Sequence, residues 1–431
     1  MTTQKNEHTR GCAAPMRHVL KRWLLYGQLA VFLMFNLSAF SQKAVTNSWE
    51  QFRGANGAGV ISGAELPENW ALSKPALLWT LDVGNGFSEV AVKGDVAYIQ
   101  SSDTLDGGYE FLAALNADTG EELWKTRIDS LWVENDGWGH GPRSTPAIGE
   151  EMVYCLSGCG RFCALKPGSG EIAWSKSLVT DYGARTPRWG FSTSPVIAED
   201  MVIIETGGTE QRAVTAFDAI TGEIRWSKGN GAASYCTPAI VELEGQQQLV
   251  YALDTMLIAF DPQGNEIWSY RMPLRAPITM PVFIAPDKFF LASEGANSGF
   301  IVQVKDNEAT EVYSGRTMLT NWSTACYHEG YLYGFSRAKL VCMSVETGKM
   351  TWGERGFGKG SLMILNGKLV IMADQGELVL AEANPEAFTP LYREQVLEGR
   401  SWTAPSFANG KLFVRNHSKM SCYSLTNNKM L

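Results

Sequence analysis

FDAITGEIRWSKG, residues 217–229, contains a four-residue step from Gly222 to Trp226, and the same step recurs along the chain. Gly120 precedes Trp124, Gly170 precedes Trp174, Gly264 precedes Trp268 and Gly348 precedes Trp352. With Trp79 at the front and the degenerate members Tyr313 and Tyr392, the series marks the sequence at intervals of 39 to 52 residues. A period of that length, filled with short strand signals, is the mark of a propeller blade.

One unit shows the pattern. FSTSPVIA (191–198), MVIIETG (201–207), AVTAFDA (213–219) and EIRWS (223–227) read as four successive strands. The Thr221-Gly222 turn joins the last two, with glycine supplying the positive φ of a tight hairpin. Four residues on, the Trp falls on the outer strand, where its ring covers the junction between neighbouring sheets, a structural role. A small residue precedes the Trp by nine or ten positions: Ala114, Ala164, Ala216, Ala259 and Cys342, with Cys422 in the same slot at the end. Large residues follow each of them, the alternation that packs radial sheets in a tapering ring.

The stretch after Tyr392 holds three strand signals, SWTAPSFA, KLFVRNH and KMSCYSL. The leftover strand LLWTLDV, Leu77–Val83, supplies the fourth and removes the edges that closure would otherwise leave. The spacing therefore predicts an all-β, eight-bladed β-propeller over residues 77–431, closed by an N-terminal strand in the last blade. Residues 42–76 either strap across the ring or plug its channel, and the Gly-rich FRGANGAG favours an extended, irregular strap.

Trp23–Phe40 carries no charge, follows Arg17, Lys21 and Arg22, and ends near the small residues Ala39 and Ser41. An uncleaved anchor and a secretory signal peptide both suit this stretch. Its short length and small-x-small ending favour a signal peptide over residues 1–41 and a periplasmic or secreted product. On that reading no integral span remains after cleavage. Residues 1–41 hold five Lys/Arg and one Glu, so the remainder is more acidic than the chain's net −8. Phosphate backbones repel such a surface, which argues against a nucleic-acid partner.

ALxxxTGxxxW, the STP, TSP and CTP inner-strand motifs and WEQFRGANGAG (49–59) resemble the PQQ-like repeat proteins. That group includes the pyrroloquinoline-quinone (PQQ) alcohol dehydrogenases and the BamB-like assembly-factor propellers of the outer membrane. The resemblance covers nearly all of residues 49–431 and implies the fold; it leaves function open. Two departures bear on the dehydrogenases: the sequence has neither adjacent cysteines nor a CxxCH haem motif. Against the BamB-like branch, no cysteine follows the apolar segment to carry a lipid.

His140, His328 and His417 fall in different units, and no His/Cys/Asp cluster has zinc spacing, so no metal site is read. Cys342 and Cys422 fill packing slots. Cys155, Cys159 and Cys163 span one hairpin, where a disulfide and three free thiols are both open readings.

Laid side by side, the connectors into the inner strands deliver Trp138, His140, Arg143, Arg188, Trp189, Tyr235, Arg275, Trp322, Lys359, Arg400 and Trp402. Turns on the same face add the carboxylates Glu205, Asp254 and Asp374, and Glu89 stands where other units have proline. These residues either form an aromatic, cationic binding funnel or merely pack and pair with one another; the funnel is favoured, because closed sheets place their sites there. The expected function is an exported binding or scaffold module, a monomer that takes a protein or polymer partner on this face and needs no cofactor. The alternative is a quinoprotein dehydrogenase holding PQQ and Ca²⁺, with one of Glu89, Glu205, Asp254 and Asp374 beside the cofactor. No motif assigns a catalytic residue.

Overall fold

The computed structural model describes residues 48–64, 66–67, 74–275 and 277–426; segment 1–41, read above as a signal peptide, lies outside the described residues. Eight antiparallel blades form a ring, and helix among the described residues is limited to Leu178–Tyr182 and the short turn Leu105–Gly107. Blade 1 runs from channel to rim as Ala91–Lys93, Val96–Asp103, Tyr109–Asn116 and Glu122–Ser130. Blades 2 to 7 repeat this meander, beginning at Ala147, Val196, Ala239, Val282, Cys326 and Ser361. In blade 8, Ala76–Asp82 pairs outside Lys419–Ser424, which ties the two ends of the ring into one sheet.

The four-residue step serves two junctions at once. Gly170 adopts φ 70°, and a Cβ there would stand 2.5 Å from the ring of Trp124, in the blade before it. Gly120 faces Trp79, Gly222 faces Trp174, and Gly264 faces Trp226 in the same way. Each turn glycine is thus the seat of the preceding blade's Trp, while the Trp four residues later reaches the following blade. Indole N–H groups complete several junctions: Trp124 Nε1 donates to Pro167 O at 2.8 Å and Trp226 Nε1 to Pro262 O at 3.0 Å.

The small-residue slot has an equally local cause. Ala114, Ala164, Ala216, Ala259, Cys342 and Cys422 lie directly across the ladder from their blade's Trp. A small partner leaves room for the indole. Where the marker is tyrosine, the partner is larger: Ile301 faces Tyr313 and Leu380 faces Tyr392. The two degenerate blades therefore trade volume between cross-strand neighbours. Core residues collect between sheets, as where blades 2 and 3 share Tyr154, Phe162, Val202, Ile204 and Phe217.

The segment ahead of the first blade crosses the channel. Ser48–Trp49 pairs with the inner strand of blade 1, and Val60–Ile61 runs parallel to the inner strand of blade 7. Between them, Glu50 O accepts from Ile148 N of blade 2, and Arg53 Nη2 reaches Cys326 Sγ of blade 6 at 2.9 Å. Trp49 and Arg53 are 1% and 2% exposed. Gly59 lets the chain fold tightly over Arg53, since a Cβ there would meet the guanidinium at 2.3 Å. This segment is a plug that closes one end of the channel.

Candidate functional site

Above the plug lies a chamber of about 350 Å³. Phe52, Arg53 and Glu89 form its floor, and Phe87, Trp138, Arg143, Trp189, Tyr235, Trp322, Lys359 and Trp402 form its walls and roof. Seven of the eleven connector residues singled out from sequence thus meet in one cavity. The other four lie outside it: His140 and Arg400 brace the roof, Arg188 sits on the rim, and Arg275 stands exposed beside Asp254 at 3.9 Å.

The roof is the connector between blades 1 and 2. Glu134 organises it from within, its carboxylate accepting from Asp136 N at 2.6 Å, Trp138 N at 2.6 Å and Gly139 N at 3.3 Å. His140 Nδ1 accepts from Glu134 N at 3.0 Å. Trp138 then reaches across the mouth to the connectors of blades 6 and 8, with ring centroids 6.3 Å from Trp322 and 5.9 Å from Trp402. Arg400 donates to the Gly137 and Trp138 carbonyls, and its guanidinium lies 4.5 Å from the Trp402 ring. On the other side Asp136 takes Arg188 Nε at 2.8 Å and Trp189 Nε1 at 2.8 Å. The hydrogen bond from Arg188, with help from Trp189, holds the Asp136 carboxyl below its usual range.

The walls are stacked aromatics. Trp322 and Trp402 have centroids 4.1 Å apart, Phe87 stacks on Trp402 at 5.7 Å, and Trp189 meets Tyr235 at 5.2 Å. Lys359 is paired with Glu294 at 3.0 Å and lies 5.1 Å from the Trp322 ring. Arg143, half-buried, spends its donors on the Gly139 and Gly141 carbonyls at 3.0 and 3.1 Å and faces Phe87 at 5.4 Å. Burial lowers its pKa against the opposing pull of the Glu134 and Glu110 carboxylates.

The four carboxylates proposed from sequence do not converge. Glu89 alone borders the chamber, and its Oε2 is committed to the plug, accepting from Arg53 N at 2.8 Å and Trp49 Nε1 at 3.2 Å. Burial pushes it up to about 7. Glu205 is fully buried behind the wall, where it accepts from Ser234 N and Oγ at 3.0 and 2.9 Å and pins the turn carrying Tyr235. Burial raises its pKa to about 8. Asp254 lies at the rim, and the Asp374 carboxylate packs over Gly358 outside the chamber. Turn chemistry placed the last two on the right face, but only the three-dimensional path of each connector decides what reaches the axis. Among the described residues no group of three or more His, Cys, Asp or Glu is arranged for a metal ion.

Glu134, Asp136, Phe52 and Arg53 were not singled out from sequence. The acids look like ordinary loop residues, and the plug's register with blades 1 and 7 has no local signal.

A nearly all-strand ring of eight blades with an aromatic chamber on its axis defines a β-propeller. The family model for the outer membrane protein assembly factor BamB matches residues 70–187 and 108–354. The chain belongs to this PQQ-like propeller family. Its relatives include BamB of Yersinia pestis, 22% identical over 407 residues that span 92% of this chain and 86% of that protein. The dehydrogenase subunit of a quinone alcohol dehydrogenase from Komagataeibacter europaeus is 25% identical over 238 residues, 49% of this chain and 31% of its own. Among solved structures, the quinohemoprotein alcohol dehydrogenase of Comamonas testosteroni superposes with TM-score 0.63 at 12% identity, covering 91% of this chain and 82% of that one. At that identity the likeness concerns the fold alone.

Proposed function

We propose that the protein is an exported, rigid binding module that serves outer membrane protein assembly by docking a protein partner on the chamber's mouth. The observation carrying this reading is the mouth itself. Trp138 is 41% exposed at its centre, and Arg188 and Arg275 are exposed at its rim with Arg400 beside Trp138. Trp and Arg concentrate binding energy at protein interfaces, and here rigid sheets hold them in place. The kinship with BamB over most of the chain supports the same reading. Among the described residues no helix is long and apolar enough to cross a membrane.

The quinone reading has less to stand on. PQQ carries three carboxylates, and of the chamber's cations Lys359 is already paired with Glu294. A calcium ion there would need several oxygens, and the one carboxylate at the chamber is tied to the plug. These residues do not fit PQQ with Ca²⁺, and no step is derived through it.

The test is complementation. Deleting the gene is expected to lower outer membrane protein levels, and wild type to restore them. The triple variant R188A/R275A/R400A should fold normally yet fail to restore them, while K93A, away from the chamber, restores fully. Full rescue by the triple variant would remove the mouth from the proposal.

A further inference from the structure

The chamber under the roof is a second feature, separate from the mouth's outer surface. A polymer or protein chain would have to pass the 132–143 connector, which is held on one side by Arg400 and on the other by Arg188 and Trp189 through Asp136. The volume of about 350 Å³ suits a small molecule instead.

Its chemistry is specific. The surfaces are aromatic faces, which favour a flat, apolar body. Arg143 brings a guanidinium whose hydrogen bonds go to neutral carbonyls, while the carboxylates nearest it, Glu134 and Glu110, act on it through space only. Lys359 adds a second cation, offset by Glu294. Glu89, the one acid at the floor, turns its Oε2 to the plug while its buried Oε1 has no hydrogen-bond partner, and burial favours its neutral form. The buried Trp322 Nε1 and Ser323 Oγ have no hydrogen-bond partner and offer two neutral donors in the wall. Arg53, Arg143 and Lys359 line the chamber against Glu134 and Glu294, carboxylates that act on Arg143 and Lys359, which leaves a net positive charge beside the aromatic faces.

We propose that the chamber binds a small, flat aromatic acid carrying a single negative charge, with Arg143 as its counter-charge. This differs from a quinone tricarboxylate in both charge and bulk. It stands whether or not a partner docks outside, because the mouth variants leave Arg143 in place.

The experiment is calorimetric titration of the purified protein with 2-naphthoate and with 2-naphthamide, which share a ring system and differ in charge. Naphthoate is expected to bind one to one and about tenfold more tightly than the amide, the range of a charge-assisted hydrogen bond. Arg143→Met should abolish that preference while retaining amide binding. Because Arg143 also holds two roof carbonyls, Lys359→Met provides a second variant, expected to reduce the preference about threefold. Equal binding of acid and amide overturns the proposal, as does an unchanged preference in folded R143M, or in K359M should R143M fail to fold. Binding of neither compound also overturns it. Displacement of naphthoate by PQQ with Ca²⁺ at lower concentration would return the chamber to the quinone class.

Discussion

The rim and the axis of this ring are built on opposite principles. At the rim one solution is repeated: a Trp from one blade rests on the turn glycine of the next, with a small residue across the ladder. At the axis the inner strands share one repeated link, Glu89 N to Thr145 Oγ1, Thr145 N to Ser194 Oγ and Ser194 N to Thr237 Oγ1. The plug, the roof and the chamber walls, by contrast, each use a different connector for a different contact. Trp124 on Gly170 and Trp226 on Gly264 are interchangeable in kind. Trp49 on Glu89 and Trp138 on Trp322 have no counterpart in another blade. Repeated contacts with nearest neighbours suit stability, since each junction contributes separately. Single, convergent contacts suit recognition, since they place unlike groups around one space.

The contrast can be broken or sharpened experimentally. The largest effect is expected at the axis. Trp49→Ala removes a buried indole and the Glu89 contact together and should cost about 4 kcal/mol in urea unfolding. A loss below about 1 kcal/mol would show that the plug is an ornament on a self-sufficient ring.

At the rim, Gly170→Ala combines a left-handed backbone with a Cβ 2.5 Å from Trp124 and should cost about 3 kcal/mol. Gly94→Ala, at φ 57° with open space around it, is the control and should cost about 1 kcal/mol. Equal costs would mean that the turn, and not the seat, demands glycine.

Behind the chamber wall the expected effect depends on pH. Glu205 has its pKa raised to about 8, so its contribution to stability is complete below the unfolded value of about 4.3 and is lost as pH rises through 8. Glu205→Gln should therefore leave stability nearly unchanged at about pH 4 and raise it by on the order of 2 kcal/mol at about pH 9. Thermal melts across that range check it; a pH-independent difference would count against burial as the cause.

The smallest effect tests the volume trade. Tyr313→Trp, opposite Ile301, should overpack blade 5 by about 1.5 kcal/mol, and Ile301→Ala added to it should recover most of the loss. Additive costs would show that the slot and the marker are independent.

Much of the rim was legible because its rules are local. The period, the eight blades, the Gly turns, the small slots at Cys342 and Cys422 and closure by residues 76–82 all follow from spacing along the chain. The role of the glycine was only half legible. Its φ belongs to its own hairpin, but the ring it supports comes from 38 to 48 residues earlier. The connectors could be marked as aromatic and basic, yet their paths could not be drawn. Arg143 turned inward and Arg275 stayed in water because loop conformation depends on distant partners such as Glu134 and Arg400.

The sequence by itself determined the ring, since blade geometry is written in periods of two along a strand and about forty-five along the chain. Only the tertiary structure decided that residues 48–61 plug the channel, that the connector at 132–143 roofs it, and that Glu205 is buried while Glu89 faces the floor. Those outcomes depend on desolvation and on contacts between residues hundreds of positions apart, as with Arg53 and Cys326, which no local pattern encodes.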